Sequence, residues 1–283
     1  MTSPSLTPAA ARVSLHVAVA LFGFAALFGK WILLPATTIV LGRTLIAATT
    51  LAIVIVLRRQ RAGRPDVPTA VNGAILALHW VSFFAAIQLS SVAVGLLGYA
   101  SFPLFVLLLE RRLLRGGRFE RATAVLATLG LAALVPDFSW SSDIVRGLAL
   151  GLVSAFTFAW LAVRNRRLVE QMAPSRIALW QNVSAAVCLA PIVAFGPVVA
   201  LPTGADIARL IVLGVVCTGL AHTLFIASMQ RVSAHTASVV AALEPVYGIA
   251  LAALLLNEIP GARTLVGGAL IVGAAVLASR RIA

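Results

Sequence analysis

The chain has 283 residues, 61% of them hydrophobic and only 11% charged, with a mean hydropathy of +1.03. Soluble domains run nearer 45–50% apolar and about 25% charged, so a soluble enzyme or regulatory domain is excluded. The formal net charge of +13 does not point to nucleic acid, because the arginines gather in the gaps between apolar runs.

In chain order, residues 1–11 form a short polar tail with Pro4 and Pro8, expected to be disordered. The first apolar run, 15–34, is too long for the core of a signal peptide and lacks a small-x-small cleavage site. Nine more runs follow at 38–57, 70–88, 92–109, 119–135, 146–163, 174–195, 207–230, 234–256 and 262–279. At roughly 20 residues per span these predict ten transmembrane helices with short connections. Pro35, Pro65, Pro68, Pro136, Pro174, Pro202 and Pro260 fall in gaps or at helix starts, where proline is tolerated. Ser91 and Ser233 are placed to N-cap the fourth and ninth spans. Cys188 and Cys217 lie in apolar runs and make neither a disulfide framework nor a metal pattern.

The ninth run carries the sharpest feature. Glu244 stands near mid-span, immediately before Pro245. A charge at that depth costs about 2.5–3.5 kcal/mol even on the lenient insertion scale, so it should face protein or a wet cavity. Pro245 removes a backbone donor and frees a carbonyl one turn earlier.

Charge sets the expected orientation. With the N-terminus in the cytoplasm, Arg12, Arg58, Arg59, Arg61, Arg64, Arg111, Arg112, Arg115, Arg118, Arg121, Arg164, Arg166, Arg167, Arg176, Arg231, Arg280 and Arg281 lie inside. Only Arg146, Arg209 and Arg263 lie outside, and both termini are then cytoplasmic.

An internal repeat predicts the architecture. Gln88, Ser91 and Pro103 recur with the same spacing as Gln230, Ser233 and Pro245, 142 residues later. Gly130 and Gly273 take similar places in the last span of each half. Residues 12–140 and 141–283 thus read as two five-helix repeats, and five being odd, the second enters from the opposite side. Inverted repeats mark secondary transporters with a site near midplane. The fold class is an all-α membrane protein, ten helices as two inverted five-helix repeats around a central cavity.

Arg43-Thr-Leu-Ile-Ala-Ala, Leu-Glu244-Pro245-Val-Tyr247, Asn257-Glu258 and Gly267-Gly268-Ala-Leu-Ile-Val-Gly273 together resemble the EamA branch of the drug/metabolite transporter superfamily. Within it the chain is most similar to bacterial aromatic amino-acid exporters of the YddG type. The resemblance implies a bacterial inner-membrane exporter of aromatic or neutral amino acids, opening alternately to each side, without a cofactor. It covers nearly all of the chain beyond the tail. The first half has Phe102-Pro103 where the second has Glu244-Pro245, so the acid is not duplicated.

Glu244 could bind a substrate ammonium, carry a coupling proton, or pair structurally with Arg43 or Lys30. Arg43 is too deep to snorkel easily, and it could meet a substrate carboxylate or Glu244. Lys30 is near the end of span one, where snorkelling is the alternative. His79 and His222 lie at similar depth in spans three and eight, as cavity groups or as interhelical hydrogen bonds. Trp80, Phe83, Tyr99, Phe102, Trp160 and Tyr247 offer mid-span aromatic surfaces, suited to a large neutral amino acid but equally to lipid or core. Gly95 with Gly98 and Ala269 with Gly273 suggest close helix packing, in a monomer or a weak homodimer.

A broad drug or quaternary-ammonium exporter is the alternative reading, with Glu244 and the aromatics as a cation box. No zinc motif, nucleophile elbow, acidic metal pair or phosphate loop is present, so no enzyme, metal or nucleic-acid partner is expected. The partners are a small molecule and the lipid bilayer.

Overall fold

The computed structural model describes residues 6–110, 142–197 and 201–279, with the scattered positions 122, 125, 126, 129, 130, 132 and 133. Among these residues every regular element is helical and there is no strand. The helices are α1 (Pro8–Trp31), α2 (Ala36–Leu57), α3 (Val67–Leu89), α4 (Val92–Tyr99), α5 (Phe102–Leu109), α6 (Asp143–Leu168), α7 (Pro174–Ala194), α8 (Gly204–Gly214), α9 (Ala221–Ser228), α10 (Ala234–Ala241), α11 (Glu244–Leu255) and α12 (Ala262–Ser279). A π-helical turn, Val215–Leu220, joins α8 to α9.

Eight helical stretches among the described residues are long and apolar enough to cross a bilayer. They are α1, α2, α3, α4 with α5, α6, α7, α8 through α9, and α10 with α11. The expected fifth span at 119–135 lies largely outside the described residues, as do Arg111, Arg112, Arg115, Arg118, Arg121, Pro136, Asp137, Trp140, Arg280 and Arg281.

The first helix starts earlier than its apolar run. Pro8 needs no intrahelical donor at the first position, and the Thr7 hydroxyl accepts from the Ala10 amide at 3.2 Å. Part of the expected tail is thereby ordered: residues 8–11 are helical and Ala11 is buried.

Hydrogen bonds sort the helix ends into two groups. At one end, Arg231 Nε donates to the Leu6 carbonyl at 2.9 Å, and Arg176 Nη2 donates to the Arg64 carbonyl at 3.1 Å. This is the arginine-rich end. At the other, Lys30 Nζ donates to the Ser90 carbonyl at 3.0 Å and Gln88 Nε2 to the Leu34 carbonyl at 2.8 Å. There too the Val92 amide donates to Glu258 Oε2 at 3.0 Å.

Two spans break in the same way. The Ser91 hydroxyl accepts from the Val94 amide and the Ser233 hydroxyl from the Thr236 amide, so both expected caps form. Each cap opens an eight-residue helix, followed by a two-residue interruption and a helix with proline in its first turn. The break bonds match: Leu104 N to Ser101 O in one span, Val246 N to Leu243 O in the other, both at 3.0 Å. One cap lies at the end holding Lys30, the other at the end holding Arg231.

Glycines set the closest approaches. A Cβ on Gly98 would lie 3.1 Å from Gly151 Cα, so α4 and α6 touch backbone to backbone. A Cβ on Gly73 would lie 2.6 Å from the Gln181 carbonyl oxygen, so α3 and α7 do the same. Gly273 instead has open space beside it, and it is Gly130 that packs on the Gly267 carbonyl. Gly73→Val is therefore expected to cost about 1–3 kcal/mol, as overpacking does, and to lower the melting temperature in detergent. Gly273→Ala, measured alongside, is expected to leave it unchanged.

Candidate functional site

The site grows from the π turn. Its wider winding, a feature frequent at functional sites, presents Thr218 Oγ1 and the Cys217 carbonyl to α2. Arg43 of α2, 1% exposed, meets both. Its Nε donates to Thr218 Oγ1 at 2.8 Å and its Nη2 to Cys217 O at 3.4 Å. The approach needs Gly214, where a Cβ would lie 2.6 Å from Ile46 Cβ of α2. The guanidinium carbon then sits 4.2 Å from the Trp80 ring centroid and 5.3 Å from that of Phe84. Such cation–π contacts contribute about 2 kcal/mol when desolvated.

Around Arg43 the bundle closes a cavity. Phe22 and Ala25 of α1 line it, with His79, Trp80 and Phe83 of α3, Tyr99 of α4, Phe158 of α6, His222 of α9 and Glu244 of α11. His79 Nδ1 lies 2.9 Å from Ser154 Oγ and 3.0 Å from Ser154 O, and its ring stacks on Phe158 at 4.8 Å. His222 Nε2 meets Gln181 Oε1 at 3.0 Å, and its ring lies edge-on to Trp80 at 5.7 Å. Tyr99 and Glu244 line the cavity together, and Glu244 Oε2 has no hydrogen-bond partner although the residue is buried. The cavity volume is ≈ 20 Å³, room for about one water molecule. Among the described residues no three His, Cys, Asp or Glu side chains form a metal-binding group.

Seven of the candidate residues thus come together: His79, Trp80, Phe83, Tyr99, His222, Glu244 and Arg43. Phe102 forms a second layer, stacked on Tyr99 at 5.3 Å. Trp160 and Tyr247 do not line the cavity. On α6 the buried stripe runs through Gly147, Gly151, Ser154, Phe158 and Asn165, and Trp160 is two residues, roughly 200°, off Phe158. Tyr247 is 38% exposed because α11 presents Gly248 to Gly23 of α1, where a Cβ on Gly23 would lie 3.0 Å from Gly248 N.

Nor is there a Glu244–Lys30 pair. Lys30 Nζ caps the Ser90 carbonyl at the helix ends, and Arg43 directs both its hydrogen bonds to the π turn. Phe22, Ala25 and Phe158 are the lining residues that sequence reading missed. The signal for Phe158 was the small and polar stripe of its own helix. Phe22 carried none beyond depth.

Arg43→Lys is expected to lose the planar fork that reaches Thr218 and Cys217 while facing Trp80. A destabilisation of about 1–3 kcal/mol should appear as a lower melting temperature, since a buried acceptor loses its donor. Lys30→Ala, at a helix end, should shift it far less.

Comparison with known proteins places this geometry. A family model described as the EamA-like transporter family matches residues 145–280. The pseudopaline exporter CntI of Pseudomonas aeruginosa is 31% identical over 258 residues, 87% of each chain. An uncharacterized transporter of Archaeoglobus fulgidus is 28% identical over 219 residues, 77% of this chain and 78% of that one. A protein crystal structure shares the fold with a TM-score of 0.72 at 22% identity, covering 96% of this chain and 98% of its own. With its apolar spans and its similarity to named transporters along most of its length, the chain belongs to the EamA-like transporter family and is a multi-pass membrane transporter rather than an enzyme.

Proposed function

We propose that the protein is a secondary exporter of small zwitterionic metabolites, aromatic or neutral amino acids in particular, in a bacterial inner membrane. The observation that carries this reading is the content of the cavity: one guanidinium, Arg43, and one carboxyl, Glu244, among stacked aromatic rings. A zwitterion supplies a carboxylate for the first, an ammonium for the second and an apolar body for Phe22, Tyr99 and Phe158. Export as the direction of transport is supported by the name of the Pseudomonas aeruginosa relative.

The alternative, a quaternary-ammonium exporter, draws on the same rings and on Glu244. Arg43 disfavours it, because the guanidinium already faces Trp80 at 4.2 Å and would repel a second cation.

We further infer ten spans in two inverted halves, 12–140 and 141–283. The paired breaks at Ser101 and Leu243 support this, since their caps lie at opposite ends of the bundle. So does the placement of the flanking ends: α5 ends at the arginine-rich end and α6 begins at the other. Positive charge assigns the arginine-rich end to the cytoplasm. A void of ≈ 20 Å³ is far below the roughly 300 Å³ of a ligand pocket, so binding requires the halves to part.

Counterflow in proteoliposomes tests the substrate class. Labelled phenylalanine or tryptophan should exchange, and tetraphenylphosphonium should not; the reverse result would overturn the reading. Phe158→Ala is expected to slow aromatic amino-acid exchange about 2–10-fold, the equivalent of one lost ring pair. Tyr247→Ala, off the cavity, should leave the rate unchanged.

A further inference from the structure

A second polar constellation adjoins the cavity and shares His222 with its lining. Asn165 Oδ1 of α6 accepts from Gln181 Nε2 of α7 at 2.6 Å and from Asn72 Nδ2 of α3 at 3.3 Å. Gln181 Oε1 in turn meets His222 Nε2 of α9 at 3.0 Å, and His222 lines the cavity. Four helices thus contribute one continuous file of side chains, each no more than 1% exposed.

Its course is directional. Asn72, Asn165, Gln181 and His222 lie within about 5–11 Å of the arginine-rich ends of their helices, counting the helical rise from Val67, Leu168, Pro174 and Ser228. The file therefore lies on the arginine-rich side of the cavity. Side-chain-to-backbone bonds close both faces, Lys30 to Ser90 and Glu258 to Val92 at one, Arg231 to Leu6 and Arg176 to Arg64 at the other, and the file lies beneath the second.

Interhelical glue alone is a poor account of it. Buried polar groups in membrane bundles are normally satisfied within the protein. Here Asn72 Oδ1 and His222 Nδ1, at the two ends of the file, have no hydrogen-bond partner, and neither does Asn182 Oδ1 beside Gln181. A file closed on itself would not leave its two ends open.

We propose that Asn72, Asn165, Gln181 and His222 form an inner subsite of the transport path, through which a small zwitterion and its water pass between the cavity and the arginine-rich face. The inference rests on the exporter reading above. Neutral amides suit the task because each both donates and accepts. They can serve a carboxylate and an ammonium in turn, and they hold no fixed charge that would trap either. In the closed arrangement the amides bond one another; as α6 and α7 separate from α3, water and the substrate's polar ends replace those bonds.

Thiol accessibility tests it in the full chain with Cys188→Ala and Cys217→Ala, a background in which only the Cys217 side chain is lost and the carbonyl that Arg43 uses is kept. Asn165→Cys, in vesicles of known orientation, is treated with the membrane-impermeant reagent methanethiosulfonate ethyltrimethylammonium. The expected result is labelling from the arginine-rich face at least tenfold faster than Ala178→Cys, which is buried, at a similar depth from that face and off the file. Added phenylalanine should change the rate. Should Asn165→Cys not fold, Asn72→Cys gives the same reading. Labelling from the opposite face only, or at the rate of Ala178→Cys, overturns the subsite even where counterflow is intact. Labelling as expected without counterflow of amino acids keeps the hydrated path and sinks the substrate reading instead.

Discussion

The structure turns on one buried cation. A guanidinium at bilayer depth is expensive, and that of Arg43 is compensated by a hydroxyl, a carbonyl and two ring faces. Each compensation constrains a different element. The hydroxyl and the carbonyl belong to the π turn, Gly214 lets that segment lie close against α2, and the ring faces bear on the rotation of α3 about its axis. With Trp80 turned to Arg43, its neighbours His79 and Phe83 also face the cavity. The polar interior is therefore not decoration on an apolar bundle; it sets the phase of the helices that surround it.

How far the sequence discloses this depends on the kind of signal. Spans announce themselves by length and apolarity, and caps by serine before an apolar run, so Ser91 and Ser233 are legible. Charged and imidazole side chains at mid-span are conspicuous in such a chain, which is why Arg43, His79, His222 and Glu244 could be singled out. Aromatic residues are not, because lipid and core accept them equally. Phe158 lines the cavity while Trp160 does not, and only helical phase, anchored by Gly151 and Ser154, separates them. The π turn leaves no mark in Val215–Leu220 that would distinguish it from ordinary helix, so the partners of Arg43 were hidden. Phe22 was hidden for a simpler reason: it is an apolar residue in an apolar run.

Backbone and side chains differ in how they repeat. The interruptions after Tyr99 and after Ala241 share their cap, length and turn bonds, so the broken helix is a property of the scaffold. What fills it is not shared. The first break leads into Phe102, stacked behind Tyr99, and the second into Glu244, whose carboxyl enters the cavity. One break thus leads to an aromatic second layer and the other to an acid beside the same space. A shared break with unshared chemistry is what the proposed site would need to hold an asymmetric ligand, such as a zwitterion with an apolar side chain, in one orientation.

Partly buried or exposed bonds close both ends of the bundle, and the arginine-rich side adds the buried amide file, which bears on how the proposed cycle can open. Bonds such as Lys30 to Ser90 and Gln88 to Leu34 are only partly buried, so water can replace each as it breaks. The net cost of parting them is then about 0.5–1.5 kcal/mol each. The file from Asn72 to His222 is buried, and an amide pulled from its partner there stays unsatisfied, at about 1–3 kcal/mol, until water follows. Opening at the arginine-rich end is therefore tied to wetting, whereas opening at the other end is not. A substrate that brings its own donors and acceptors lowers the first barrier and leaves the second nearly untouched. Selectivity in such a device would be exercised on the side where the amides are buried.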